Sequence, residues 1–252
     1  MKIFRLFNYA ALVAVMTLAL SCRSNTNNSD DSGNGNYDQT DARTFGLAGA
    51  VKEVRISVTN LSPANDEERA NPVISDNKLQ MSFNERGQVT LDHYGNVYEY
   101  DSDGKFIKGR SDITVVERDS KGRITRYENT PQTYSDGEDF GEFVFNYISL
   151  DLGYDEQGRV YTEEIGSWEA GYAYRIFYDG SNIYPQRAVI DGGEGPTTVK
   201  GSITYEYISF DEKGNWTERK VFVAQSFTEE GSNDEPTVEN TERLEKRTII
   251  YY

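Results

Sequence analysis

The chain has 252 residues, of which 42 are acidic and 26 basic, and its formal charge is −16 at pH 7. This charge excludes nucleic-acid binding, because a nucleic-acid-binding surface needs a basic footprint that displaces counterions. A single histidine and a single cysteine argue against a Ser-His-Asp triad, a Cys-His dyad and a His/Cys zinc site.

The N-terminus has the layout of a secretory signal. Two basic residues open it, and an apolar stretch follows over residues 9–20 that is too short to span a bilayer comfortably. The run Ala19-Leu20-Ser21-Cys22 resembles the bacterial lipobox, in which the signal is cut before a diacylated cysteine; Ala19 stands where leucine is usual. We expect residues 1–21 to be a lipoprotein signal peptide and Cys22 to carry acyl chains such as palmitate.

Residues 22–44 are expected to form a flexible tether, because they are rich in Asn, Ser, Asp and Gly and have no apolar period. Removal of the signal takes away Lys2 and Arg5, so the mature charge is −16 − 2 = −18. An anionic bilayer repels this chain, and attachment therefore depends on the acyl chains, at about 0.8 kcal/mol per buried CH₂. Arg23, rather than Asp, follows the cysteine, so we expect outer-membrane sorting, with the protein facing the periplasm or the cell surface.

The sequence after the tether, residues 45–252, is predicted to be a single all-β domain. Apolar residues alternate with polar ones in this part, as in a half-buried strand. Val54, Ile56 and Val58 show this period near the start, and Ile203 and Tyr205 show it later. Hardly any stretch has apolar residues at helical spacing.

A short pattern recurs in this domain: an aromatic residue, Asp or Asn, two polar residues, Gly, any residue and a strand former. Asp or Asn can begin a type I turn by bonding its own backbone, and Gly supplies the left-handed residue of a bulge. The units are about 18 residues apart, which suits one hairpin each. Five copies occur, and the last lacks the aromatic residue: Phe83–Val89, Tyr100–Phe106, Tyr154–Val160, Phe210–Trp216 and Arg118–Ile124.

Consecutive hairpins predict an antiparallel meander that forms a curved or partly closed, barrel-like sheet. An open sheet would need charged or covered edges, whereas closure would remove the edges. The last strand, residues 243–252, mixes charged and apolar residues. It suits either a protected edge or pairing with the first strand, and the sequence leaves both arrangements open.

Several segments resemble known repeat proteins. Tyr154–Arg159 and Tyr98–Asp101 resemble the YD repeat of RHS-type proteins, and Gly49–Val54, Asp211–Arg219 and Arg247–Tyr252 are similar to YD-repeat-like lipoproteins common in Bacteroides-type bacteria. The resemblance covers most of residues 47–252. It implies an antiparallel sheet at the cell envelope, and it implies neither catalysis nor particular functional residues.

Few residues suggest chemistry. His93 lies in a turn sequence and is expected to be an exposed loop residue. Four acids lie within seven residues and could hold Ca²⁺, but chance clusters are expected among 42 acids, and we interpret this one as a solvated acidic loop. The four acids are Asp136, Glu138, Asp139 and Glu142. We expect no metal site and no cofactor.

An aromatic group is the one candidate for ligand binding in the domain. Trp168 lies in a turn-like run, with Tyr172 and Tyr174 just beyond it. A Trp beside a turn can stack on a sugar ring, and the same residues also suit cross-strand packing.

The sequence supports three hypotheses for function. The first is an envelope-anchored, non-catalytic module that binds a glycan or a protein and attaches to the membrane through Cys22. The second is a carboxylate-dependent glycoside hydrolase, which needs two acids facing each other across a cleft. The third is a purely structural component of the envelope.

Overall fold

The computed structural model describes residues 40–62, 74–93, 95–107, 113–129, 132–135, 142–145, 149–167, 170–180 and 184–252. One helical turn and fourteen strands lie within these ranges. They are α1 (Asp41–Thr44), β1 (Val51–Asn60), β2 (Ile74–Phe83), β3 (Val89–Leu91), β4 (Ile113–Arg118), β5 (Ile124–Asn129), β6 (Gln132–Ser135), β7 (Glu142–Phe145), β8 (Ser149–Tyr154), β9 (Val160–Gly166), β10 (Ala170–Tyr178), β11 (Pro185–Glu194), β12 (Thr197–Phe210), β13 (Trp216–Glu229) and β14 (Thr237–Tyr251).

Twelve of the strands form one antiparallel sheet, in the order β3-β2-β1-β14-β13-β12-β11-β10-β9-β8-β5-β4, and β6 pairs only with β7. This confirms the predicted all-β meander. The last strand pairs with the first, with Val54 opposite Ile249 and Thr59 opposite Leu244, which resolves the arrangement that the sequence left open. Among the described strands the sheet does not close, and β3 and β4 are its edges.

The five turn copies share one hydrogen-bond pattern, as the copy at Asp155 illustrates. The Asp155 N–H donates to the Arg159 carbonyl, and the Gly158 N–H donates to the Asp155 carbonyl. Oδ1 of Asp155 accepts from the backbone N–H groups of Gln157 and Arg159, each at 2.9 Å. Gly158 has φ +79°, a left-handed conformation that favours glycine. The same bonds form at Asn84, Asp101, Asp119 and Asp211.

Arginine and tyrosine side chains link neighbouring copies. The Arg123 guanidinium lies 4.0 Å from the ring centroid of Tyr154, and the Arg159 guanidinium lies 4.2 Å from that of Tyr178. Each tyrosine hydroxyl donates to the residue after that arginine: Tyr154 to the Ile124 carbonyl at 2.6 Å, and Tyr178 to the Val160 carbonyl at 2.9 Å. Tyr154 of one copy thus packs on the end of the preceding copy, and Tyr178, at the end of β10, packs in the same way on the copy at Asp155. These turns lie at one end of the sheet. We call this the turn end.

Residues 40–47 pack against the turn end. Asp41 is buried, and its Oδ2 accepts from the Val89 N–H at 3.0 Å and from Nη2 of Arg118 at 3.0 Å. Val89 begins β3 and Arg118 ends β4, so one carboxylate joins the two edge strands. Ala42 and Phe45 enter the hydrophobic core beside it. The structure therefore places residues 40–44, the end of the predicted tether, in the folded domain.

Alanine substitutions at two turn glycines distinguish the stability that this packing contributes from the cost of backbone strain. Gly87 (φ +72°) and Gly122 (φ +80°) both have left-handed backbones, and alanine at either should cost about 1–2 kcal/mol. A Cβ at Gly87 would also lie 2.6 Å from the Cβ of Thr40, whereas one at Gly122 meets no described atom within 4 Å. Thr40 caps α1, and its displacement adds about 1 kcal/mol. We expect Gly87→Ala to lower the free energy of unfolding, measured in urea, more than Gly122→Ala; equal losses would contradict the packing.

Candidate functional site

The structure separates the residues of the predicted aromatic site. Cys22 and Trp168 lie outside the described residues. Tyr172 is half-buried on the core-facing side of β10, where it packs against the core. Tyr174 is only 1 % exposed. Alternation along β10 turns both tyrosines toward the interior, which is the packing arrangement that the sequence also suited.

The predicted acidic group is placed only in part. Asp136, Glu138 and Asp139 lie outside the described residues, and Glu142 begins β7. No group of three or more metal-binding side chains occurs among the residues that the structure does describe. The interpretation of this group as a solvated acidic loop without a metal therefore stays a prediction.

His93 is buried, which corrects the prediction of an exposed loop residue. It is 8 % exposed, and burial lowers its pKa to about 3. The turn that contains it follows β3, which is only three residues long, and repeats the bonding of the turn copies. Asp92 accepts from the Tyr98 hydroxyl and from Nδ2 of Asn96, each at 2.9 Å. A turn sequence defines the backbone of this segment but does not indicate that the turn faces the core.

The sheet curls around Tyr174. Its cross-strand neighbour on β9, Glu163, is fully buried. Burial and the Glu163 charge raise the pKa of Tyr174, and the charge of Arg243 on β14 lowers it. Strands β10 and β14 are four places apart in the sheet, roughly 19 Å if it were flat. The bonds of Asp41 to both edge strands show that the sheet curls, which brings these strands toward each other across a concave side.

Four charged residues meet on this concave side, and we call them the arginine cluster: Arg219, Arg243, Glu245 and Arg247. Nε of Arg219 donates to Oε2 of Glu245 at 2.7 Å, and Nε of Arg243 donates to Oε1 at 2.7 Å. Nε of Arg247 donates to the carbonyl of Trp216 at 2.9 Å. All four residues are buried. Alternation along β14 places residues 243, 245 and 247 on one face.

Aromatic rings pack beside the guanidinium groups. Arg219 and Arg247 lie 4.1 and 4.0 Å from the ring of Trp216, and Arg219 also lies 4.7 Å from that of Tyr205. These are cation–π distances in a desolvated setting. Burial and the charge of Arg219 lower the pKa of Arg247 to about 9. Burial alone would raise the pKa of Glu245, but Arg219 and Arg243 outweigh it, and this pKa lies below its ordinary value of 4.5.

Several donors of this region make no hydrogen bond within the described part of the chain. They are both Nη atoms of Arg219, one Nη atom each of Arg243 and Arg247, the Trp216 indole nitrogen and the hydroxyls of Tyr174 and Tyr205. All these groups can donate, and only the hydroxyls can also accept. The concave side is therefore suited to hydrogen-bond acceptors that carry negative charge.

Sequence reasoning missed the arginine cluster. The signal was the alternation of charge in Arg243-x-Glu245-x-Arg247, which we interpreted only as a strand that suits either a protected edge or pairing with the first strand. Alternate residues face one side of a strand, so the same pattern fits a buried charged row once β14 lies in the middle of the sheet.

Within the described ranges, no helix has the length and apolar character needed to cross a bilayer. A comparison with protein-family models finds no match, and a comparison with curated proteins finds no similar sequence.

Proposed function

We propose that the protein is an envelope-anchored, non-catalytic binding lipoprotein, held at the outer membrane by acyl chains on Cys22. Its ligand is a glycan or a protein. The observation that carries this proposal is the packing of residues 40–47 against the turn end, which fixes the tether to one end of the sheet. A tether fixed there leaves the opposite end of the sheet directed away from the membrane.

The opposite end carries the longest hairpin. Strands β13 and β14 have 14 and 15 residues, and the first five residues of β14 are exposed, with Val238 at 63 %. Residues 229–242 contain six acids and no basic residue: Glu229, Glu230, Asp234, Glu235, Glu239 and Glu242. This hairpin would be repelled by an anionic bilayer, which is consistent with a domain that projects outward.

The alternative is a carboxylate-dependent glycoside hydrolase. A glycoside hydrolase needs two carboxylates that are free to act on the substrate. Glu163 and Glu245 are the fully buried glutamates of the described chain, and Glu245 is bonded to two guanidinium groups. Its carboxylate is thus engaged within the cluster.

Replacement of the cysteine tests the anchor. We expect the wild-type protein to take up labelled palmitate and to sediment with membranes, and Cys22→Ser to do neither, because Cys22 is the only cysteine. Ser24→Ala, two residues along, serves as the matched control and should behave like the wild type. Equal membrane retention of Cys22→Ser and the wild type would contradict lipid anchoring.

Ligand binding is tested with the purified mature protein. It is applied to a broad glycan array, and separately used to retain proteins from an envelope extract. The proposal expects specific retention in one of the two experiments. Failure of both would contradict a binding function and favour a structural role.

A further inference from the structure

We infer that the arginine cluster holds a compact oxyanion, a carboxylate, sulfate or phosphate group, on the concave side of the sheet. This inference rests on the proposed binding function and gives it a ligand chemistry.

The charges in and around the arginine cluster favour a bound anion. Arg219 and Arg243 form direct ion pairs with one carboxylate, that of Glu245, and Arg247 is the third guanidinium group of the cluster. Two more acids act on the region from its borders: Glu163 beside Tyr174, and Asp211, which accepts from the Tyr251 hydroxyl. Nε of Arg247 donates to the carbonyl of Trp216, and burial with the charge of Arg219 lowers the pKa of Arg247 to about 9. Isolated buried charges cost several kcal/mol unless they are paired, so this cation favours an added anion.

Several buried donors of the arginine cluster have no acceptor within the described structure. Arg219, Arg243 and Arg247 share the cluster, and each has at least one terminal nitrogen that makes no hydrogen bond in the described structure. Buried donors are almost always satisfied, because each unmade bond costs about 1–3 kcal/mol. Water can accept hydrogen bonds from such donors, but it does not neutralise their charge. An oxyanion does both, and the guanidinium fork matches its geometry.

The position of Arg243 places one end of the cluster toward the outer end of the sheet. Arg243 is the first buried residue of β14 after the exposed hairpin, so it lies at the rim of the concave side. Tyr174, whose pKa the charge of Arg243 lowers, is two residues from the half-buried Tyr172, roughly 7 Å along the strand. Arg243 is thus the member of the cluster nearest to the end of the sheet opposite the turn end. The predicted ligand residues Tyr172 and Tyr174 lie on the same side of the sheet.

The test uses the purified mature protein and simple ions. Its thermal midpoint is measured against inorganic phosphate, sodium sulfate and sodium acetate, at an ionic strength held constant with sodium chloride. We expect at least one oxyanion to raise the midpoint in a saturable way. Sulfate and phosphate also stabilise proteins by exclusion from their surface, but that effect does not saturate.

Matched variants locate the effect. Arg243→Gln should need a roughly tenfold to hundredfold higher oxyanion concentration for the half-maximal rise in its thermal midpoint, because it loses a charge-assisted hydrogen bond. Arg55→Gln, which alters a 54 % exposed side chain outside the core, should respond like the wild type. The inference is overturned if no ion gives a saturable rise, or if the two variants respond alike.

A second measurement covers the case in which Arg243→Gln does not fold. A crystal structure of the wild type, grown in sulfate, should contain the ion bonded to Arg219 or Arg243. Waters alone at these atoms would overturn the inference. If glycan or protein retention succeeds while both ion experiments fail, only the oxyanion site is lost and the binding function stands.

Discussion

Glu245→Gln is expected to lower the free energy of unfolding by about 3–5 kcal/mol, the usual cost of removing one partner from a buried ion pair. The carboxylate bonds Nε of Arg219 and Nε of Arg243, each at 2.7 Å, and all three side chains are almost fully buried. Glutamine keeps the size but leaves two buried cations without their counter-charge. Urea unfolding, followed by circular dichroism, measures the loss.

Glu218→Gln is the matched control for this substitution. Glu218 lies on β13 and pairs with Lys246 of β14. Its Oε1 is 3.5 Å from Nζ of Lys246, and both side chains are partly exposed. Exposed pairs contribute about 0–1 kcal/mol, so this variant should stay close to the wild type. A small loss for Glu245→Gln would mean that the cluster is not tightly organised.

Acidification should weaken the fold through His93, by up to about 5 kcal/mol between pH 6.5 and pH 3. Burial lowers the pKa of His93 from 6.5 to about 3, so the folded state keeps the imidazole neutral while the unfolded chain takes up a proton. The stabilisation is complete above pH 6.5 and is lost as the pH falls toward 3. The slope should be about 1.4 kcal/mol per pH unit within this window.

His93→Gln provides the comparison for the pH effect. This variant should lose less of its free energy of unfolding than the wild type between pH 6.5 and about 5, a range in which aspartate and glutamate still contribute little to the pH dependence. Below that range the depressed pKa of Glu245 adds its own loss in both proteins, since its stabilisation is present above its ordinary value and disappears on acidification. Parallel curves for the wild type and His93→Gln across the upper range would contradict a buried neutral histidine.

The architecture was accessible from the sequence because it depends on local chemistry. Asp155 and Gly158 define their turn through bonds within five residues, and the same short code recurs in the other copies. Period-two alternation then requires strands between the turns. The all-β antiparallel meander follows from these two signals alone.

The interior depends on contacts that no local pattern encodes. The arginine cluster is buried only because the sheet curls, and β14 lies between β1 and β13 only because the chain returns to its beginning. The same mixed strand would suit an edge in another topology. His93 shows the same limit, since its turn sequence is compatible with either a buried or an exposed position.

The N-terminal packing was also beyond local reasoning. Thr40 and Asp41 belong to a polar stretch without apolar period, and Asp41 finds its partners 48 and 77 residues away. In the fifth copy, Arg118 stands in place of the aromatic residue and bonds Asp41. The missing aromatic residue was visible in the sequence, but its replacement by an ion pair depends on the position of β4 at the sheet edge.

The central claim is that the concave side of a tethered sheet binds a ligand through the arginine cluster. Its most direct test is retention on a glycan array that includes carboxylated, sulfated and phosphorylated sugars, with the wild type, Arg243→Gln and Arg55→Gln compared at equal concentration. We expect the wild type and Arg55→Gln to retain the same anionic glycans and folded Arg243→Gln to lose them. Retention of no anionic glycan by the wild type, or equal retention by all three proteins, would contradict the claim.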